Sequence, residues 1–301
     1  QLVFFNISQR RTLMKREEFQ TQIKFPLLLD GATGSNLMAA GMPRGVCTEI
    51  WVRDHKDVFL RLQKAYIEAG SQVIYAPTFG GNRISLSMHG LENEIEALNK
   101  TLVSYSLEAA DDKVLVAGDL TTTGKMMAPA GELSYEQAFE VYQEQIHYLA
   151  EAGVDLLAVE TMISIEETLA ALDAALSVCD LPVMCSMTIE SDGSLFTGGN
   201  IFEAALALES AGASAVGINC SVGPEQLVAI IRTLYETVSI PVIAKPNAGM
   251  PVIDDLGQAV YNMTPQDFAL HMKTLVDMGA SIVGGCCGTT PEFIHRMAEI
   301  L

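Results

Sequence analysis

Apolar residues occur along the chain in short continuous runs, and longer stretches with helical spacing separate these runs. Continuous runs are typical of strands that are covered on both faces, as in a parallel sheet between helices. The pattern predicts eight strands, at residues 26–30, 73–77, 114–118, 155–160, 182–188, 214–219, 240–246 and 281–286. Residues 57–70 form one of the predicted helices, and a period of 3.6 residues gives it an apolar face. That predicted face consists of Val58, Leu62, Ala65 and Ala69.

A repeated phrase marks the passage from predicted helix to predicted strand. At four places the end of a helix is followed by a glycine, two small or polar residues and a short apolar run. The glycines are Gly70, Gly153, Gly212 and Gly279. Glycine readily adopts the left-handed conformation that ends a helix, so we expect each of them to be a helix stop that leads into a strand.

Eight strand–helix units predict an α/β fold, a (β/α)8 TIM barrel that forms a single domain over residues 14–301. The alternative is an open doubly wound sheet, although no GxGxxG turn follows the first predicted strand. Residues 1–13 contain no acidic residue and precede Met14. We expect them to be a leader or a cloning remnant, with an additional N-terminal helix as the alternative.

The charge of the chain narrows the possible partners. It has 18 basic and 37 acidic residues, which gives a formal net charge of −19. This balance argues against binding to nucleic acid or to an anionic membrane surface. No apolar run has the length of a membrane helix. We therefore expect a soluble cytoplasmic protein whose six cysteines are reduced, so that clustered cysteines indicate metal binding or catalysis.

The carboxyl ends of the predicted strands are the expected location of the reacting groups. Those ends carry Asp30-Gly31, Thr78-Phe79, Asp119, Glu160-Thr161, Thr188, Asn219-Cys220, Asn247 and Cys286-Cys287. Three cysteines on one rim suit a soft tetrahedral ion, and zinc is the expected one. Adjacent strand residues point to opposite faces, so Cys286 and Cys287 share an ion only if the backbone leaves strand geometry. The glycines at 284, 285 and 288 allow this.

A zinc ion with three protein ligands keeps a fourth position for substrate. A thiol that binds there loses its proton, so the expected chemistry is attack of a bound thiolate on an electrophilic carbon. The alternatives are two buried cysteines or a vicinal disulfide, with Cys220 as a core residue. Cys179 and Cys185 flank the fifth predicted strand and are expected to serve packing, and no role is assigned to Cys47.

Other residues of the predicted rim suggest an amino acid substrate. Backbone amides near Gly31 to Ser35 would bind an anion at a helix N-terminus. Asp30 and Glu160, with Asp119 as a possible third, suit a substrate ammonium; the alternatives are a plain turn and helix caps. Asn247 either shapes its loop or faces the metal.

Six segments, "LLLDGATGSNLM", "APTFGGNRISLSMHGLE", "DLLAVETM", "GINCSVGPE", "KPNAGMP" and "GGCCGTTPEFI", resemble in order the homocysteine S-methyltransferase family. The resemblance runs from about Leu27 to Ile294, and within the family it is strongest for the homocysteine-binding module of cobalamin-dependent methionine synthases. It implies a zinc-dependent enzyme that methylates homocysteine to methionine. The zinc ligands that it implies are Cys220, Cys286 and Cys287. The residues that would hold the amino acid part are Asp30, Gly31, Glu160, Thr161 and Asn219, and Asn247 would neighbour the metal when substrate is absent.

The methyl donor is left open by one departure from the family pattern. The segment "DLTTTGKM" has Thr121-Thr122 where relatives often have Gly-Pro. The leading expectation is methylcobalamin carried by another module or protein, either because this chain is part of a larger synthase or because the donor is separate. The alternatives are a free donor such as S-methylmethionine or a betaine, a metal-free phosphate-handling barrel, and a zinc-stabilised methyl-shuttle partner without turnover.

Overall fold

The computed structural model of the chain describes residues 14–253 and 259–301, so the predicted leader or remnant at residues 1–13 lies outside the described residues. Within the described residues the strands are β1 Leu27–Leu28, β2 Val73–Tyr75, β3 Leu115–Leu120, β4 Leu156–Met162, β5 Val183–Met187, β6 Ala215–Asn219, β7 Val242–Lys245, β8 Val252–Ile253, β9 Ala259–Val260 and β10 Ala280–Val283. The helices are α1 Phe19–Gln22, α2 Gly34–Ala39, α3 Thr48–Asp54, α4 Lys56–Ala69, α5 Arg83–Ser87, α6 Ile95–Ala110, α7 Tyr135–Ala152, α8 Ile165–Val178, α9 Ile201–Ala211, α10 Val228–Thr237, α11 Pro265–Asp277 and α12 Pro291–Ile300. Two short 3-10 helices lie at Arg16–Glu18 and Pro224–Gln226.

Eight of these strands form one parallel sheet in the order β1-β10-β7-β6-β5-β4-β3-β2. Each coincides with a predicted strand, and the ends differ by no more than three residues. The order follows the chain around a nearly closed barrel, which confirms the predicted TIM barrel. The antiparallel hairpin of β8 and β9 was not predicted, and it lies between β7 and α11.

The barrel closes between β1 and β2 through a mixture of backbone and side-chain hydrogen bonds. The Gln72 N–H donates to the Leu28 carbonyl at 2.7 Å, and the Leu28 N–H donates to the Gln72 side-chain oxygen at 2.9 Å. The Tyr75 N–H donates to Asp30 Oδ2 at 2.8 Å. The Asp30 side chain thus replaces a ladder bond at the seam, which fixes its position at the mouth of the barrel.

The core has two parts. An outer layer lies between the sheet and the ring of helices, and a smaller cluster fills the barrel interior. Leu29, Tyr75 and Ile243 belong to the interior cluster, and Met14 and Phe19 close it at the end opposite the strand carboxyl ends. No helix among the described residues combines the length and the apolar character needed to cross a membrane.

The four predicted helix stops are confirmed, because Gly70, Gly153, Gly212 and Gly279 all have φ between 91° and 114°. The predicted apolar face of α4 is wrong in detail.

The buried residues of α4 are Phe59, Gln63, Tyr66 and Ala69. Of the predicted face only Ala69 is buried, while Val58 and Leu62 are partly buried and pack against the core. Gln63 Nε2 donates to the Tyr75 carbonyl and the Tyr66 hydroxyl donates to the Ala32 carbonyl, although Gln63 Oε1 is buried and accepts no hydrogen bond from the described residues. A pattern that counts them as polar therefore misplaces the face.

Candidate metal centre and substrate pocket

The structure brings the three predicted cysteine ligands together. The Sγ atoms of Cys220, Cys286 and Cys287 lie within 4.8 Å of one another, and those of Cys220 and Cys287 are 3.5 Å apart. Zinc–sulfur bonds of about 2.3 Å in a tetrahedron require sulfurs about 3.8 Å apart. The donor set and its spacing therefore fit zinc, with three protein ligands and one further position.

Backbone hydrogen bonds from the end of β7 hold this cluster. The Cys220 N–H donates to the Lys245 carbonyl at 3.3 Å, and the Cys286 N–H donates to the Pro246 carbonyl at 2.7 Å. Cys220 has a φ of 48°, a left-handed conformation that is uncommon outside glycine. Its sulfur reaches the cluster only because the chain turns sharply after β6.

The three glycines around the cysteine pair are required for different structural reasons. Gly288 has a φ of 82°, as predicted for a chain that leaves strand geometry, and a Cβ there would lie 2.4 Å from the Tyr261 ring. Gly285 is required by close packing, because its Cβ would lie 2.4 Å from Thr289 Oγ1. Gly284 likewise faces the Asp30 carbonyl, at 2.8 Å. Only one of the three glycines thus serves the conformational freedom that the sequence suggested.

The three thiols share their charge unequally. Hydrogen bonds from Cys220 and then Cys286 lower the pKa of Cys287 to about 3, and Tyr261 adds a further hydrogen bond. The hydrogen bond with Cys220 contributes most to raising the pKa of Cys286. The hydrogen bonds among the three thiols therefore favour the thiolate form of Cys287 and the thiol form of Cys286.

A cavity of about 720 Å³ opens onto the cysteine cluster at the carboxyl ends of the strands. The residues predicted to bind metal or substrate that line it are Asp30, Gly31, Glu160, Thr161, Cys220, Cys286 and Cys287. Its lining also includes Tyr75, Asp119, Lys245 and Tyr261. The two predicted asparagines, Asn219 and Asn247, are not part of the lining. The cavity thus joins the sulfur cluster to a group of buried acids.

Lys245, the last residue of β7, lies among these acids. Its Nζ is 3.0 Å from Glu160 Oε2 and 4.0 Å from Asp30 Oδ1, and it lies 4.3 Å above the centre of the Tyr75 ring. Burial lowers the pKa of the Lys245 ammonium, but the combined attraction of Glu160, Tyr75, Asp30 and Cys286 outweighs burial and leaves that pKa above its usual value. Lys245 is therefore a buried cation at the mouth of the barrel.

Two of the acids each have a carboxylate oxygen that lacks a hydrogen-bond partner. Asp30 Oδ1 and Asp119 Oδ1 are buried and accept no hydrogen bond from the described residues. Burial raises the pKa of Asp30 to about 6. Burial, followed by repulsion from Glu160, raises the pKa of Asp119 well above its usual value. Buried carboxylates without partners are costly, so these oxygens suit a cationic ligand.

Asn219 does not line the cavity but contacts Thr161, which does. Its Oδ1 accepts from the Thr161 N–H at 2.7 Å and from the Ser186 hydroxyl at 2.9 Å, and its Nδ2 donates to Thr161 Oγ1 at 2.7 Å. Its polar atoms are thus engaged within the protein. Asn247 donates to the Ser221 carbonyl at 3.2 Å, while its Oδ1 is buried and accepts no hydrogen bond from the described residues.

One of the backbone N–H groups of the predicted anion site near Gly31 is already used in a hydrogen bond within the protein. The Ala32 N–H already donates to Thr289 Oγ1 at 3.1 Å. A Cβ on Gly31 would lie 2.7 Å from both Thr289 Oγ1 and the Tyr66 hydroxyl oxygen, so close packing also requires this glycine.

The loop that departs from the family pattern is held by a buried carboxylate. Glu167 accepts hydrogen bonds from Thr122 Oγ1 and from the N–H and hydroxyl of Thr123, at 2.7 to 2.8 Å. Thr121 donates to the Glu160 carbonyl at 2.9 Å. These threonines do not line the cavity.

Sequence reasoning missed Lys245, Tyr75 and Tyr261 in this site. A signal was present for Lys245, since a single lysine closes the otherwise apolar run of the seventh strand. Tyr75 and Tyr261 carry no pattern that separates them from core tyrosines.

Comparisons with known proteins agree with this architecture. Methionine synthases from Mycobacterium leprae and Mycobacterium tuberculosis are each 30% identical to the chain over an alignment 287 residues long, and the match covers 89% of this chain and 24% of those proteins. The chain thus spans about a quarter of the length of these relatives. The homocysteine methyltransferase MmuM of Escherichia coli shares the fold: its oxidised form has a TM-score of 0.77 at 22% identity, covering 91% of this chain and 95% of that one. Its metallated form has a TM-score of 0.76 at 21% identity, covering 94% and 99%.

A match to a model of a protein family shows to which family the chain belongs. The model described as homocysteine S-methyltransferase matches residues 27–301, which include all barrel strands and the three clustered cysteines. The chain therefore belongs to the homocysteine S-methyltransferase family.

Proposed function

We propose that the barrel of residues 14–301 binds zinc and homocysteine and transfers a methyl group to the homocysteine thiolate, giving methionine. The observation that carries the proposal is the convergence of three cysteine sulfurs and a group of buried acids on one cavity. The family assignment supports it, as do relatives described as methionine synthases and a structural neighbour described as a metallated homocysteine methyltransferase.

Cys220, Cys286 and Cys287 would hold the zinc ion. When bound, zinc at a three-thiolate site supplies a position at which a substrate thiol is deprotonated at neutral pH. The protein's own residues bind and orient the rest of the substrate. Asp30 and Glu160, joined by Asp119, line the cavity and accept the ammonium, and Asp30 and Asp119 each have an oxygen that accepts no hydrogen bond from the described residues.

The remaining residues shape the amino acid end of the cavity. Gly31 and Thr161 contribute to its wall, and Asn219 holds Thr161 from behind. Asn247 stays a candidate neighbour of the metal, which its unpartnered Oδ1 supports.

We propose methylcobalamin on another module or protein as the methyl donor. The methionine synthase relatives support this choice, and the exposed apolar side chains at the cavity rim, Met38, Phe79 and Met88, would contact such a partner. S-methylmethionine and betaines are the alternative free donors. A metal-free phosphate-handling barrel is not favoured, because it leaves the cysteine cluster without a role. We propose a cytoplasmic location, which the acidic composition and the six free cysteines support.

The test is turnover of homocysteine by zinc-loaded protein with methylcobalamin, S-methylmethionine and a betaine assayed in parallel. We expect methionine to form with methylcobalamin. Turnover with a free donor alone would reassign the donor, and no methionine with any of the three would overturn the methyltransferase proposal. Elemental analysis of protein purified under reducing conditions should find about one zinc per chain, as a three-thiolate site requires.

A further inference from the structure

The Lys245 side chain is 5% exposed and faces the cavity at the level of the buried acids. A lysine rarely occupies such a position unless it is paired. Its pairing is uneven, since Nζ is 3.0 Å from Glu160 but 4.0 Å from Asp30. The shorter contact is a charge-assisted hydrogen bond, which is stronger than a neutral one and directional.

Acidic residues outnumber basic ones around Lys245. Asp30, Asp119 and Glu160 are buried and line the same cavity, whose lining also includes Glu49, Arg44 and Lys245. Glu160 accepts a hydrogen bond from Lys245, whereas Asp30 Oδ1, 4.0 Å from Lys245 Nζ, and Asp119 Oδ1 accept none from the described residues. These two carboxylates therefore keep hydrogen-bonding capacity for a cationic ligand of the cavity.

The end of β7 also connects this acid group to the cysteine cluster. The Lys245 carbonyl accepts from the Cys220 N–H, while its side chain holds Glu160. One residue therefore contacts both ends of the cavity, and it sets where the acids lie relative to the sulfurs.

We propose that Lys245 is a positioning residue that makes the pocket selective for thiols carrying an α-ammonium group. It holds the Glu160 carboxylate by a direct hydrogen bond and so fixes its position in the cavity that Asp30 and Asp119 also line. These acids are the acceptors for the incoming cation. The inference rests on the proposed function, because it concerns the amino acid end of the same thiol substrate.

The removal of Lys245 would have opposite effects on the binding of an ammonium-bearing thiol if Lys245 acted through its charge alone and if it acted by positioning the acids. Lys245 repels a second cation, so if charge alone mattered its removal would strengthen the binding of an ammonium-bearing thiol. If Lys245 orders the acids, its removal lets Glu160 move and form new contacts, and binding of that thiol weakens. The direction of the change therefore separates the two roles.

The experiment measures the binding of two thiols to zinc-loaded protein by titration calorimetry, with no methyl donor present. Homocysteine carries the ammonium, and 4-mercaptobutyrate has the same chain and carboxylate without it. For Lys245→Met we expect the dissociation constant of homocysteine to rise about tenfold or more, because the charged hydrogen bond that holds Glu160 is lost. The dissociation constant of 4-mercaptobutyrate should change by less than about twofold, so the preference for homocysteine collapses.

Lys245→Gln is the second variant, since it keeps a hydrogen-bond donor to Glu160 without the charge. It should retain part of the preference, and it decides the question if the methionine variant does not fold. Lys273→Met, on the exposed face of α11, is the matched control and should behave as the unaltered protein. Zinc content should stay at about one per chain in every variant.

Equal or tighter binding of homocysteine by the folded Lys245 variants would overturn the positioning role. If the unaltered protein binds neither thiol, the proposed function fails and the fault does not lie with Lys245.

Discussion

Asn219 and Thr161 hold each other through two reciprocal hydrogen bonds of 2.7 Å, although 58 residues separate them in the chain. Thr161 has a φ of 57°, a left-handed conformation that costs a β-branched residue about 1–3 kcal/mol. Asn219 lies directly before Cys220, which is left-handed as well. The buried Asn219 amide therefore stabilises the strained backbone of Thr161, which lies next to Glu160.

Replacement of Asn219 by alanine should destabilise the protein by about 2 kcal/mol or more, because the Thr161 N–H and the Ser186 hydroxyl lose a buried acceptor. Asn219→Asp keeps the acceptor, and the Thr161 hydroxyl can donate to it, so this variant should lose less. Urea unfolding measures the difference. Equal stability of the alanine variant and the unaltered protein would show that the reciprocal pair does not support the strained turn.

Replacement of any clustered cysteine by serine should abolish tight zinc binding. Two thiolates and a hydroxyl form a weaker donor set than three thiolates, so bound zinc should fall from about one per chain to nearly none after dialysis. Cys179→Ser is the matched control, because Cys179 is partly buried, packs against the outer core and is not part of the cluster. Loss of zinc in the control, or its retention in Cys286→Ser, would contradict the assignment of the ligands.

The barrel and the cysteine cluster were predictable because each has a local signature. Buried parallel strands are continuous apolar runs, and glycine ends the preceding helix at a fixed place, so eight units could be counted. Once the strand ends were known, the topology alone brought Cys220 to the same rim as Cys286 and Cys287.

The acid group was less predictable, because its properties depend on distant pairings. Lys245 is buried as a result of its contact with Glu160, 85 residues away, and no local pattern encodes that contact. Asp30 was predicted at the rim, but its bond to the Tyr75 N–H follows from closure of the barrel between β1 and β2. The prediction of the α4 face was wrong for a related reason, since the Tyr66 hydroxyl and Gln63 Nε2 are buried and donate to backbone carbonyls that are distant in sequence.

Gly31→Ala tests the close packing at the first strand end. The added Cβ would lie 2.7 Å from Thr289 Oγ1, which itself donates to the Cys286 carbonyl at 2.7 Å. We expect a loss of about 1–3 kcal/mol in the free energy of unfolding, typical of an overpacked site. Zinc affinity should fall as well, because displacement of Thr289 disturbs Cys286.

Gly34→Ala is the matched control for this substitution. A Cβ at Gly34 meets nothing within 4 Å, and the residue begins α2. Its stability should be unchanged or slightly higher, since alanine lowers the entropy of the unfolded chain. Equal effects of the two substitutions would refute the role of close packing at Gly31.

Asp30 should make the protein less stable as the pH rises from about 4 to 6. Burial, the largest cause, raises the pKa of Asp30 from 3.8 to about 6 in the folded state. Between these values the folded protein binds more protons than the unfolded chain, so the free energy of unfolding falls as the pH rises and is constant in this respect above about 6. A rise of about two pKa units corresponds to about 3 kcal/mol.

The measurement compares urea unfolding of the unaltered protein and Asp30→Asn from pH 4 to pH 7. Metal-free, reduced protein is used, so that release of an ion at low pH does not contribute. The asparagine keeps an acceptor for the Tyr75 N–H but does not titrate, so its stability relative to the unaltered protein should increase with pH. In the control Asp57→Asn that relative stability should change little and in the opposite sense, because a hydrogen bond from Arg61 lowers the pKa of this exposed carboxyl. Parallel pH profiles for Asp30→Asn and the unaltered protein would show that Asp30 is charged throughout this range, and hence that Lys245 fully compensates its burial.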